Sequence, residues 1–283
     1  MHRQLWLLLI ALLSLALVTG CVIQVTPQNL IYQSSAVEKL DLTAFRNKAY
    51  QGEMSVAVKT VSVTSEGGYK IRGIQALYHN ARVNILIFGG NGMSINKSAN
   101  IVHRFGAIPA NVMWFDYPGV GISDKPVKLN SAAMMADALA VYDFATETLR
   151  NDKPFIVHGI ELGSTVAATI ATERNLDGLV LQGPIVNLSQ LIKDNSPGMF
   201  TRWRLSDELR SVDNAYQIAR YKGPLLIMVG EKDLTTPPKY SEILYRVSSS
   251  ENKNLVVIEG AGHNKLMDSP IALDAYRSFI KSL

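Results

Sequence analysis

The sequence predicts an α/β protein: a mostly parallel central sheet, helices on both faces and a small cap. Three observations predict it. Six apolar runs of four to six residues recur between 84 and 258 without polar alternation, as strands buried on both faces do. Stretches with helical spacing lie between them. The chain has 283 residues, 47% hydrophobic and 18% charged, which is long and apolar enough to bury a full core without disulfide or metal staples. One or two domains fit that length.

Residues 1–21 read MHRQLWLLLIALLSLALVTGC. Arg3 and His2 precede a fourteen-residue run, 5–18, that is apolar except for Ser14. A spanning helix needs about 20 residues, so the run suits a signal-peptide core. Val18-Thr19-Gly20-Cys21 closes it, and Cys21 is the only cysteine in the chain. This ending resembles the bacterial lipoprotein signal, with Val18 where leucine is usual. The resemblance implies a signal peptide over 1–20 and lipidation of Cys21 by a diacylglycerol and an N-acyl group. It implies a bacterial cell-envelope location, and Val22 in place of Asp points to the outer membrane, facing the periplasm. The other reading is an uncleaved anchor or a plain signal with an incidental cysteine. Residues 21–50 mix polar residues with Pro27 and lack clear periodicity, so they are expected to form a tether. The folded domain is expected over 51–283.

Within it, 56–63 and 71–77 flank Glu66-Gly67-Gly68-Tyr69 and read as an antiparallel hairpin. The buried strands are 84–88 (NILIF), 111–115 (NVMWF), 154–157 (PFIV), 178–181 (GLVL), 224–229 (PLLIMV) and 254–258 (NLVVI). The strongest helix is 131–149, with Met134, Ala138, Val141, Ala145 and Leu149 on one face and Asn130 or Ser131 as N-cap. Stretches 164–173, 238–247 and 270–281 are also helix-like. Residues 185–222 break the strand rhythm and read as a cap insertion or a surface excursion. Phe200, Trp203 and Leu205 there fit either an apolar pocket or core packing. Arg202, Arg204 and Arg210 read as solvated or paired.

Several function classes are excluded. Lys plus Arg number 28 against 24 acids, with no basic block, so no nucleic acid partner is expected. There is no H-E-x-x-H and no Cys/His ligand spacing, and Gly89-Gly90-Asn91-Gly92 lacks both nucleotide-loop patterns. No metal and no other cofactor is therefore expected.

The chemistry concentrates in 155–168, FIVHGIELGSTVAA. A strand ends, a tight turn begins at Gly159 and a helix of small residues follows Gly163. This resembles the G-x-S-x-G nucleophile elbow of the α/β-hydrolase superfamily, with Glu161 where serine is usual. Four further stretches resemble that superfamily in order. Phe88-Gly89-Gly90-Asn91-Gly92 is similar to its oxyanion loop, with Gly89 where histidine is common. Asp116-Tyr117-Pro118-Gly119-Val120-Gly121-Ile122-Ser123 is similar to a loop of the lipid-handling and peptidase-like members. Gly230-Glu231-Lys232-Asp233 with Pro237 and Gly260-Ala261-Gly262-His263 are similar to the loops presenting the triad acid and histidine.

The resemblance covers about 55–283 and lies closest to the serine-aminopeptidase-like and monoacylglycerol-lipase-like branch. It implies a hydrolase of esters, thioesters or peptides. Glu161, Asp233 and His263 are its catalytic candidates, and Gly90, Asn91 and Leu162 its anion-binding turn. Ser164, His158 and His103 are expected to be structural.

Glu161 has no hydroxyl proton to give, so serine-ester chemistry is excluded at that position. Three readings stay open: a carboxylate nucleophile; a Glu161–His263 pair acting on water, or a nucleophile supplied by a residue elsewhere; and a plugged, non-catalytic binding or scaffold protein. In the last, Glu161 folds toward the amides of Asn91 and Leu162 and pairs with His263. The ligand, small molecule or peptide, is not legible.

Overall fold

The computed structural model describes residues 21–50, 56–105, 108–149, 151–196 and 201–283. The signal-peptide reading of 1–20 and Phe200 lie outside these residues.

The hairpin of β2 (Val56–Thr64) and β3 (Lys70–Tyr78) forms in nine-residue register, Val56 opposite Tyr78 and Thr64 opposite Lys70. Gly68 turns it at φ +80°, a backbone angle that glycine adopts without a steric penalty. Then come β4 (Val83–Phe88), β5 (Ala110–Phe115), β6 (Phe155–Ile160), β7 (Gly178–Gln182), β9 (Leu225–Gly230) and β10 (Lys253–Ile258). Together they build an eight-stranded sheet in the order β10-β9-β7-β6-β4-β5-β3-β2. Every pairing from β5 to β10 is parallel, whereas β3 meets both β2 and β5 antiparallel. The α/β class and the mostly parallel sheet are as the sequence predicts.

β4, β5, β6, β7 and β9 are buried along their whole length, as gapless apolar runs require. The run 254–258 differs. β10 is an edge strand and is only partly buried, with Val257 exposed, because one side of the edge has no neighbouring strand.

Alternate residues of each strand feed two cores. Ile85, Ile87 and Ile156 pack beneath α2 (Leu42–Tyr50), α3 (Ile95–Arg104) and α10 (Pro270–Lys281). Leu86, Phe88 and Val157 pack beneath α4 (Ser131–Thr148), α5 (Gly163–Glu173), α8 (Asn214–Arg220) and α9 (Pro238–Val247). Asn130 is the N-cap of α4 and accepts from the amides of Ala132 and Ala133 at 2.9 and 3.1 Å.

Residues 21–50 do not form a free tether. β1 (Cys21–Val25) pairs parallel with β8 (Thr201–Leu205) of the cap, and α1 (Pro27–Leu30) follows it. Val25 and Ile31 join Leu188, Leu205 and Leu209 in a third apolar cluster, while Phe45 and Ala49 of α2 enter the main core. Hydrogen bonds fasten the stretch to the loop after β5, among them Ser34 N–H to Gly119 O at 2.9 Å and Glu38 N–H to Gly121 O at 2.7 Å.

The cap consists of α6 (Leu188–Asp194), β8 and α7 (Asp207–Arg210). The later part of the 185–222 insertion, α8, belongs to the helical layer instead, because Ile218 is buried against the α5 and α9 side of the sheet. Leu205 is buried in the cap cluster, and Trp203 is not.

Candidate active site

The chain order β4, β5, β6 runs to one side of β4 and then to the other. That reversal opens a crevice beyond the carboxyl ends of the parallel strands. Asn91 follows β4, Glu161 follows β6, Asp233 follows β9 and His263 follows β10. The sheet therefore gathers residues spread over more than half the chain.

Glu161 sits at the tip of the strand-to-helix turn with φ +49°, the sole non-glycine residue at positive φ among the described residues. Such a conformation costs of order 1 kcal/mol, and the surrounding structure imposes it. Its N–H donates to Gln182 O at 2.9 Å, and its carbonyl accepts from Ser164 N–H at 3.0 Å. The flanking glycines are steric necessities. A Cβ on Gly159 would stand 2.6 Å from the Gly163 carbonyl oxygen, and one on Gly163 would stand 2.1 Å from the Phe88 carbonyl oxygen.

The turn places the Glu161 carboxylate against the loop after β4. Asn91 N–H donates to Glu161 Oε2 at 2.6 Å. Gly90 leaves room for this, since a Cβ there would lie 2.7 Å from the same oxygen. Burial pushes the Glu161 pKa up, and the amides of Asn91 and Leu162 together with the His263 charge offset it only in part. The pKa stays above 4.5.

The Asn91 side chain has a separate task. Its Oδ1 accepts from Tyr32 N–H and its Nδ2 donates to Leu30 O, both at 2.8 Å. The amino-terminal segment thus braces the loop that binds the carboxylate.

Asp233 and His263 form a dyad. His263 Nδ1 donates to Asp233 Oδ2 at 2.8 Å. The amides of Thr235 and Thr236 donate to Asp233 Oδ1 at 2.9 and 2.8 Å, and the Thr236 hydroxyl donates to Oδ2 at 3.0 Å. Burial opposes ionisation of Asp233, but the His263 and Thr236 hydrogen bonds outweigh it and hold its pKa below 3.8. For His263, burial works against the charge, yet the Asp233 hydrogen bond and the Asp233 and Glu161 charges raise its pKa above 6.5.

The sequence reading needs one correction. Asp233 is the ion-pair partner of His263, and the direct Glu161–His263 pairing of the plugged-site reading is not among the ion pairs of the described residues. Glu161 and His263 instead line one polar cavity, shared with Asn91 and Gln182, and act on each other through space. The reason is that the Asn91 amide already holds Glu161 Oε2.

The residues read as structural are so placed. Ser164 is fully buried, and its hydroxyl donates to the Glu161 carbonyl and accepts from Asn214 Nδ2 at 2.8 Å. His158 lies under Phe105 and Tyr276, and burial drives its pKa down to about 3. His103 Nδ1 meets the Ala49 carbonyl at 3.0 Å and ties α3 to α2. Asp116 accepts from the amides of Ile95 and Ile122 at 2.8 and 3.0 Å, with burial pushing its pKa up to about 7. It braces its loop and faces neither Asp233 nor His263.

A second, apolar cavity lies beside the polar one, and neither Trp203 nor Leu205, the described residues that fitted an apolar pocket, lines it. Leu162 and Tyr117 form its floor, Met134 and Leu209 part of its sides, and Pro27 and Leu30 another wall. The cavity left no local signal, since its walls come from six separate stretches.

Asp233→Asn is expected to bring the His263 pKa below the wild-type value, read by NMR titration of the imidazole. The raised folded-state pKa of His263 contributes stability that is fully present below pH 6.5 and is lost as pH rises through the folded value. The variant should therefore lose stability against wild type mostly on the acidic side of that window, seen in Tm against pH.

Residues 79–212 match the family model described as serine aminopeptidase, S33. An uncharacterized protein of Mycobacterium tuberculosis is 30% identical over 199 residues, covering 69% of each chain. Human ABHD12B is 30% identical over 193 residues, covering 60% of this chain and 52% of that one. Among solved structures, the Pyrococcus furiosus esterase Pf2001 superposes with a TM-score of 0.69 at 15% identity, over 89% of this chain and 99% of the other.

Proposed function

Because this chain belongs to the α/β-hydrolase superfamily, we propose that it is a lipid-anchored envelope protein of that fold in which Glu161 takes the serine position and fills the oxyanion hole. It binds an acyl-bearing ligand in the adjoining apolar cavity and does not cleave it by serine chemistry. One observation carries the reading: the 2.6 Å hydrogen bond from the Asn91 amide to Glu161 Oε2. The Leu162 amide at the start of α5 and the Asn91 amide in the loop after β4 favour an anion, and here the anion is the protein's own. A carbonyl oxygen from a substrate has to displace it.

The carboxylate is also a poor substitute for an alkoxide. Attack on an ester carbonyl would form a mixed anhydride and expel a far more basic alkoxide, so the adduct collapses backward. Lipidation of Cys21, with a signal peptide over 1–20, supplies the anchor, and an outer-membrane, periplasm-facing position follows from Val22.

A hydrolase reading rests on a different observation, the intact Asp233–His263 dyad opening on the same cavity as Glu161. In it, Glu161 acts as nucleophile or joins His263 as a general base on water.

A turnover panel of short acyl esters, thioesters and aminoacyl amides separates the two. The expected outcome is no turnover above buffer for wild type and for Glu161→Gln alike. Turnover by wild type that Glu161→Gln abolishes would replace the binding reading with the carboxylate one.

A further inference from the structure

Cys21 is the first residue of β1, and Val25 at the other end of the strand lies in the cap cluster at 5% exposure. An extended chain rises about 3.3 Å per residue, so a lipid on Cys21 is held within roughly 15 Å of the cap core. The domain does not hang on a long leash. The anchor, which rests on the lipoprotein reading above, draws the cap itself to the bilayer surface.

The β1–β8 ribbon has the chemistry for that position. Aligned partners in a parallel pair share a side, so Ile23 stands beside Trp203, and Val22 and Gln24 stand beside Arg202 and Arg204 on the opposite side. Burial fades outward along both strands. Exposure climbs from 6% at Leu205 to 37% at Trp203, and from 5% at Val25 to 41% at Ile23. Val22 is exposed as well.

An indole with one wet and one apolar side settles at the headgroup level of a bilayer. Arg202 and Arg204 are both exposed, and among the described residues neither has an ion-pair partner. Basic side chains so placed are drawn to anionic lipid.

We propose that the outer end of the β1–β8 ribbon seats in the headgroup region of an anionic bilayer. Val22, Ile23 and Trp203 enter the interface, and Arg202 and Arg204 pair with lipid phosphates. The segments leaving the inner ends of the two strands are α1 and α7. Pro27 and Leu30 of α1 and Leu209 of α7 line the apolar cavity beside Glu161. Seating the ribbon thus sets that cavity near the source of an acyl chain.

The mature, lipidated protein, which begins at Cys21, holds two tryptophans, Trp114 buried in the core and Trp203. It is reconstituted in phosphatidylethanolamine–phosphatidylglycerol vesicles containing brominated lipid, and flotation of the same vesicles reads anchoring separately. With one of two tryptophans in reach, roughly half of the emission is expected to be quenched. Adding Trp203→Phe is expected to abolish that quenching.

Arg202→Gln with Arg204→Gln should lower the quenching to the level seen in phosphatidylcholine vesicles. Equal quenching of the unaltered ribbon in anionic and phosphatidylcholine vesicles overturns the phosphate pairing. A chain that floats with Trp203 unquenched overturns the seat and leaves the anchor standing. A chain that does not float overturns both. Trp203 shielded from brominated lipid and from aqueous iodide together marks a protein contact there and also overturns the seat.

Discussion

Replacing Glu161 by serine is expected to create an esterase from this scaffold. The variant should label with a fluorophosphonate probe and hydrolyse p-nitrophenyl butyrate at least about a hundredfold above the buffer background at which wild type is expected to stay, the scale on which oxyanion-hole donors act. Serine fits the same elbow and does not reach the Asn91 amide that Glu161 Oε2 now occupies. The hole is then free for a substrate oxygen, and Asp233 already holds His263 through Nδ1 at 2.8 Å. That bond leaves Nε2 as the nitrogen to take the serine proton. His263→Ala on top of the serine variant should remove the gain. If the serine variant neither labels nor turns over, the dyad is not aimed at residue 161, and the plugged-site account loses its basis.

Gly163→Ala is expected to cost about 3 kcal/mol, the upper end of what forcing a methyl group into a packed site costs. In a domain of this size that corresponds to a fall in Tm of about 5–10 °C, measured by thermal unfolding. The added Cβ would meet the Phe88 and Gly89 carbonyl oxygens at 2.1 and 2.6 Å. Neither is the end of a flexible side chain, so β4 or the start of α5 must move. The same displacement carries the Asn91 amide away from Glu161. An unchanged Tm would show that helix and strand are less closely packed at the elbow than described. Gly262→Ala serves as the contrast. Its nearest contact would be the Lys232 carbonyl oxygen at 3.9 Å, and little steric cost is expected.

Much of the site was legible because its signals are local. The glycines at 159 and 163 mark a tight turn, and its resemblance to the nucleophile elbow singles out residue 161. Asp233 follows the buried strand β9 and His263 the partly buried edge strand β10, each at short range. The strands were legible for the same reason: β4, β6, β7 and β9 lie between helical layers, so they read apolar except at Asn84, His158 and Gln182.

The stretch 21–50 was not legible. Its fastening runs through single contacts with partners far along the chain. Asn91 bonds Leu30 and Tyr32 across about sixty residues, and β1 finds β8 in a stretch read as a cap insertion or a surface excursion. Isolated buried residues such as Val25 and Ile31 make no periodic pattern.

By itself the sequence determined the order of strands and helices and the tight turn at 159–163, while resemblance to a known superfamily marked Glu161, Asp233 and His263. Apolar periodicity and steric limits on a turn act over a few residues and can be read in line. Only the tertiary structure decided that the carboxylate lies on the Asn91 amide and not on the imidazole, and that the amino-terminal segment is part of the cap. Both outcomes depend on which donors the folded sheet brings within 3 Å of one another, and sequence spacing does not encode that.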